Sequence, residues 1–259
     1  MRPRRFEILG VPVDCVTMSQ ALAVVQAMLE GDSGAPEMVI AVNPEKVMKA
    51  RQDSALLGRL MRAGLLIPDG IGVVFAARCK RLHAPIERVP GSELMPLICE
   101  RAARSGRRIF LFGASPEVNP RVAAVLRQRY PGISIVGHQH GYVAPEEMPA
   151  VIRTINASGA DILFVALGSP TQEIWMDRYV PQLNVKVCQG VGGTFDVLAG
   201  RVRRAPRLFR KWHLEWLYRL ASEPRRLLRQ TALPRFAFQV MSRQVMSRVG
   251  AAGCQGTKG

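Results

Sequence analysis

The chain is poor in the devices that announce many kinds of chemistry. Its five cysteines, Cys15, Cys79, Cys99, Cys188 and Cys254, are scattered, odd in number and free of any Cys-x-x-Cys spacing. That pattern suits a reducing cytosol and argues against both a disulfide framework and a zinc site. There is no Gly-x-x-x-x-Gly-Lys-[Ser/Thr] loop, which argues against a P-loop nucleotidase. There is also no Asp-x-Asp pair to hold a divalent metal on a diphosphate, so charge developing there would have to be met by arginines. Long apolar runs are missing as well. The longest strongly apolar one, Ile162 to Leu167, falls far short of the roughly 20 residues that span a bilayer. The N-terminus opens with a basic run, but Glu7 and Asp14 interrupt any apolar segment, so it does not read as a signal peptide.

Acidic residues are scarce in one region. Residues 201–259 carry 14 Lys/Arg against 2 Asp/Glu, whereas residues 1–200 carry 22 against 18. A localised excess of this kind calls for an anionic partner, whether lipid, nucleic acid or phosphorylated substrate. Within it Phe209, Trp212, Trp216 and Leu220 recur at helical spacing, with Arg207, Arg210 and Lys211 off the stripe. Pro224 permits a new helix start and Pro234 breaks the next segment. The stripe suits a helix packed on its own domain, while the cations beside it suit an interfacial role at an anionic leaflet.

Upstream, short apolar runs alternate with helical patterns. Strands are expected at Met38–Val42, Leu65–Ile67, Arg108–Gly113, Ile133–Gly137, Asp161–Leu167 and Val185–Gln189. Helices are expected at Pro44–Arg62, Leu94–Ser105, Pro116–Tyr130, Pro145–Ser158 and Thr171–Leu183. This alternation predicts an α/β fold: a Rossmann-like, mostly parallel sheet with helices on both faces and a basic C-terminal helical appendage. The expected division is a core at 1–200, an amphipathic helical appendage at 201–249 and a disordered tail at 250–259.

In such sheets ligands bind beyond the carboxyl ends of the strands. Here those ends carry Asn43-Pro44, Pro68-Asp69-Gly70, Gly113-Ala114-Ser115, Gly168 to Gln172 and Gly190 to Asp196. Asp69 sits at a strand tip backed by apolar residues, where a carboxylate could serve as a general base. Taken alone it reads more simply as a turn residue in Pro-Asp-Gly. The Gly190-Val191-Gly192-Gly193 turn could cradle phosphate or serve tight packing, and the spacing leaves both open. It lacks the full Gly-x-Gly-x-x-Gly pattern, so a dehydrogenase is poorly matched. His138 and His140 could share one face of a strand, but with no third ligand nearby they are not read as a metal site.

Taken together and in order, the strings AVNPEKV, IPDGIGVV, RVPGSEL, FLFGASPEV, DILFVALGSPTQEIWM, GVGGTFDVLAGRVRRAP and LEWLYRLASEPRRLLR resemble the WecG/TagA/CpsF glycosyltransferase family (glycosyltransferase family 26). They cover residues from about 38 to 230. The resemblance implies an inverting, metal-independent enzyme with no cofactor. It would move a sugar from a UDP-sugar to an undecaprenyl-diphosphate-linked saccharide, peripherally, at the cytoplasmic face of the membrane. By the same resemblance Asp69 is the general base, Asn43 lines its pocket and Arg88 contacts substrate. Gln172 and Asp196 lie on the donor side with Gly192 and Gly193, and Tyr142 lies by the nucleotide. Arg219, Arg226 and Arg229 close over the site as a lid and neutralise the leaving diphosphate, which agrees with the missing Asp-x-Asp pair. One departure is visible. Relatives often have Thr two residues before the pocket Asn, and this chain has Ala41, so the donor sugar is left open. A homo-oligomer is also left open. The competing class is a basic nucleic-acid-binding protein, motivated by the pI of 10.8 and by arginines interleaved with aromatics.

Overall fold

The computed structural model describes residues 2–31, 34–80, 84–202 and 232–253. It opens with a hairpin, β1 (Arg5–Ile8) and β2 (Val11–Asp14), followed by α1 (Met18–Glu30). Then come β3 (Glu37–Val42), α2 (Pro44–Ala50), α3 (Ser54–Met61), β4 (Leu65–Pro68), α4 (Ile71–Cys79) and α5 (Gly91–Ser105). The second half contributes β5 (Arg108–Gly113), α6 (Val118–Arg129), β6 (Ser134–Gln139) and α7 (Met148–Ala157). It finishes with β7 (Ile162–Ala166), α8 (Thr171–Tyr179), β8 (Val187–Gly190), α9 (Thr194–Leu198) and α10 (Ala232–Gly253).

Six strands form one sheet in the order β4-β3-β8-β7-β5-β6, and every pairing is parallel. The expected α/β class therefore holds, with an all-parallel main sheet and a separate antiparallel hairpin. Strand residues alternate between two apolar layers because successive side chains point to opposite faces. Ile40, Val42, Leu66, Phe110, Phe112, Leu163 and Val165 enter one layer. Val39, Leu65, Ile67, Ile109, Leu111, Ile162 and Phe164 enter the other. Both faces are covered by helices, which is why the strands read as continuous apolar runs.

Local signals set the helix starts. Thr17 and Gln20 form a reciprocal capping box on α1, and Asn43 caps α2 with Pro44 in its first turn. The single helix expected over Pro44–Arg62 is two. Asp53 turns extended and its side chain accepts from the Leu56 N–H at 2.9 Å, restarting the helix as α3. Pro234 sits in the first turn of α10, where its missing N–H costs no helical bond, and the segment from Pro224 that it was expected to break lies outside the described residues up to Thr231. The hairpin, α1 and α4 were not anticipated from the pattern. The hairpin is held by Asp14, 1 % exposed, which takes Arg5 at 2.7 and 3.0 Å and the Leu66 N–H of edge strand β4 at 2.7 Å.

Burial pushes the Cys99 thiol up to about 12 and Cys188 the same way, which keeps both as apolar filler.

At the end of β5 the backbone demands glycine. Gly113 has φ of +114°, and a Cβ there would lie 2.5 Å from the Ala166 carbonyl oxygen on β7. Gly113→Ala is expected to lower unfolding free energy by about 3 kcal/mol through strain and a backbone clash, read from urea midpoints at constant m-value.

Candidate active site

Because all six strands run one way, all six carboxyl ends lie along one edge of the sheet. The chain steps outward to β4 in one half and to β6 in the other, so ligand space opens over the central strands. Those of the expected site residues that are described fall into three groups on this edge.

The first group lies at β3 and β4. Asn43 follows β3, and its side-chain oxygen accepts the Lys46 N–H at 2.8 Å, which leaves its NH₂ group as the part able to face a ligand. Asp69 follows β4, is half-buried, and donates its N–H to the Val42 carbonyl at 2.8 Å. Gly70, at φ +101°, comes close enough to Pro44 that a Cβ would lie 3.6 Å from its ring. Asp69 and Asn43 are thus fixed on adjacent strand tips. Arg88 arrives from the segment before α5: the next residue, Val89, donates to the Pro68 carbonyl at 2.7 Å, and the guanidinium pairs with Glu93 at 3.0 Å.

The second group lies at β7 and β8. Gln172, in the first turn of α8, is 4 % exposed. Its carbonyl oxygen accepts the Gly192 N–H at 2.9 Å and its NH₂ donates to Glu173 at 3.0 Å. Glu173 is also buried and takes Lys46 Nζ at 2.6 Å, and Lys46 donates as well to the Ala41 carbonyl at 2.6 Å. Burial pushes the Glu173 carboxyl up, but the Lys46 ammonium and hydrogen bonds from Lys46, Gln172 and Ser169 outweigh it and hold the group below the usual carboxylate range. Gly192 takes φ of +53°, and Gly193 follows it at the start of α9.

The third group lies at β5 and β6. Tyr142, beyond β6, is 75 % exposed, and its neighbour Gly141 donates to the Ala114 carbonyl at 2.8 Å. Asn119 binds the Gly113 and Gln139 carbonyls, both at 2.9 Å, and so ties the two strand ends together. Asp196 lies on α9, and its carbonyl accepts the Arg201 and Val202 N–H groups at 2.9 and 3.1 Å. Beside them a cleft of about 540 Å³ is lined by Glu117, Val118, Arg121, Ala199 and Arg201. Arg201 donates to the Ser115 hydroxyl at 3.3 Å, and a hydrogen bond from Ser115 holds the Glu117 carboxyl below its usual range, with Arg201 and His140 adding to the effect.

Arg219, Arg226 and Arg229 lie outside the described residues, as does the aromatic stripe of 209–220. Among the described residues no three His, Cys, Asp or Glu side chains converge as a metal site would require, and no helix is long and apolar enough to cross a membrane. Sequence reasoning missed Lys46 and Glu173. Both stand inside strings already singled out, NPEK and PTQE, but the contact between them spans 127 positions and leaves no local trace. Ser115 belongs to a strand end that the sequence marks, whereas Glu117, Arg121 and Arg201, which line the cleft, were given no role there.

A half-buried carboxylate on one strand tip, a glycine turn on another and a basic cleft at the far end suit transfer of a group from an anionic donor. The descriptive model of the glycosyl transferase WecG/TagA/CpsF family matches residues 6–250 of the 259. The chain belongs to that family, and is a glycosyltransferase of cell-envelope polysaccharide synthesis.

Proposed function

We propose that the protein moves a sugar from a UDP-sugar to the saccharide of an undecaprenyl-diphosphate-linked acceptor, with inversion and without a metal. The observation that carries the reading is the placement of Asp69 beside Asn43, with the Gly190–Thr194 turn on the strand next to that of Asn43, on a single edge of a parallel sheet. In this reading Asp69 takes the proton of the acceptor hydroxyl as that oxygen attacks the anomeric carbon, and the diphosphate leaves from the opposite face of the sugar. Asn43 and Arg88 orient the reacting groups. Gly192, Gly193, Asp196 and Tyr142 hold the nucleotide, and Gln172 supports them from beneath.

Charge accumulates on the leaving diphosphate, and arginines can carry the stabilisation that a metal gives elsewhere. Arg219, Arg226 and Arg229 take that role. Arg226→Ala is expected to lower kcat on the order of 10²-fold, the usual loss for one charge-stabilising donor. Steady-state rates at saturating donor check it, and an unchanged kcat would remove the clamp.

The same basic region would hold the enzyme on the anionic inner leaflet, with neighbouring Lys/Arg contributing about 1 kcal/mol each. Co-sedimentation with anionic vesicles, set against retention of DNA or RNA at matched salt, separates this from the nucleic-acid reading. The deciding experiment incubates purified protein with undecaprenyl-diphosphate-linked acceptor and a panel of UDP-sugars. Product with one of them supports the assignment, and no product with any of them sinks it.

A further inference from the structure

A buried ion pair is poor evidence for stability, since well-packed apolar residues in its place are often as stable or more so. The Lys46–Glu173 pair is such a case, with side chains 6 % and 0 % exposed. What it does that an apolar pair cannot is fix the direction of an amide. Gln172 places its NH₂ against Glu173 and its carbonyl oxygen against the Gly192 N–H. An ionised carboxylate only accepts hydrogen bonds, so a flipped amide would set oxygen against oxygen at Glu173 and donor against donor at Gly192. Glu173 therefore permits one orientation. Lys46 in turn keeps that carboxylate charged and in place, while its own N–H is held by Asn43 and its ammonium by the Ala41 carbonyl. The result is one continuous chain, Asn43–Lys46–Glu173–Gln172–Gly192, running from the exit of β3 to the exit of β8.

We propose that Lys46 and Glu173 are positioning residues for sugar transfer. They lock the Gln172 amide in one orientation and so hold the Gly192 turn, on the donor side, in register with Asn43 and Asp69 on the acceptor side. The roles given to those two sides rest on the function proposed above, whereas the locking of the turn stands on geometry alone.

Removing one charge leaves the other buried and unpaired, so the informative variant removes both. Lys46→Met/Glu173→Met is expected to melt close to the wild type. Its Gly192 amide should exchange with solvent on the order of tenfold faster, the loss of one net hydrogen bond, while the Val191 amide, bonded to Val165, stays as protected as before. In the transfer assay kcat/KM for the donor should fall on the order of 10²-fold through misplacement of the reacting groups, with KM for the acceptor unchanged. Lys46→Met/Glu173→Gln, which leaves no buried charge, keeps an acceptor oxygen for Gln172 and should recover most of that loss. A double variant with a protected Gly192 amide overturns the proposal, as does one with normal kcat/KM. Failure of the wild type to transfer any sugar would instead overturn the functional reading, and the exchange measurement would still decide the positioning claim.

Discussion

Asp69→Asn is expected to reduce kcat by about 10³–10⁴-fold, the upper range for loss of a general base, while circular dichroism and melting stay at wild-type values. The substitution keeps size and shape and removes the negative charge together with the ability to take a proton. The fold should tolerate it because the Asp69 backbone, through its N–H to Val42, carries the local geometry, and the residue is not enclosed in the core. Two further readouts follow. The acid limb of the kcat/KM profile, which reports protonation of the base in the free enzyme, should vanish from the residual activity. Binding of UDP should persist, since the nucleotide is assigned to the β5–β8 half of the edge and Asp69 stands at β4. Near-normal turnover by Asp69→Asn would return Asp69 to the role of a turn residue in Pro-Asp-Gly. Loss of melting temperature together with activity would mean that the carboxylate supports structure.

The sheet was legible in the sequence because burial on both faces writes each strand as an unbroken apolar run, as in Arg108–Gly113 and Ile162–Ala166. The strand ends were legible for a related reason: an apolar run that stops at Asn43, Asp69 or Gly190 marks where the chain leaves the core. What escaped was of two kinds. The break at Asp53 and the helix α4 depend on side-chain caps and tertiary contact that a periodicity reading passes over. Gly72, for instance, is needed because a Cβ there would meet the Pro44 ring at 2.8 Å. The Lys46–Glu173 pair was hidden for a deeper reason, because a charged residue in a helix reads as solvated surface until the fold shows what lies opposite. The same limit applies to Gln172. The resemblance placed it on the donor side, and the structure adds that both ends of its amide are bonded within the protein.

That buried pair also makes the stability of the protein respond to pH in a way that a surface pair would not. In the wild type Glu173 is held below the usual carboxylate range, so the folded state binds fewer protons there than the unfolded chain. Its contribution is fully present above the unfolded carboxylate pKa of about 4.3 and is lost as pH falls through the lower folded value. Lys46→Met reverses the sign. The carboxylate is then buried with no cation, its pKa rises, and the folded state binds more protons than the unfolded one. At pH 8 the variant should be less stable than the wild type by about 3–5 kcal/mol, the cost of a broken buried pair. Between pH 8 and pH 5 it should regain much of that loss, whereas the Glu173 contribution in the wild type stays level over the same interval. Urea unfolding at several pH values separates the two slopes. Lys46→Met/Glu173→Gln, which carries no ionisable group at either position, should show neither the loss at pH 8 nor the recovery at pH 5. A Lys46→Met protein destabilised equally at both pH values would mean that Glu173 is hydrated once the lysine is gone, and that the enclosed core around the pair is opened by the substitution.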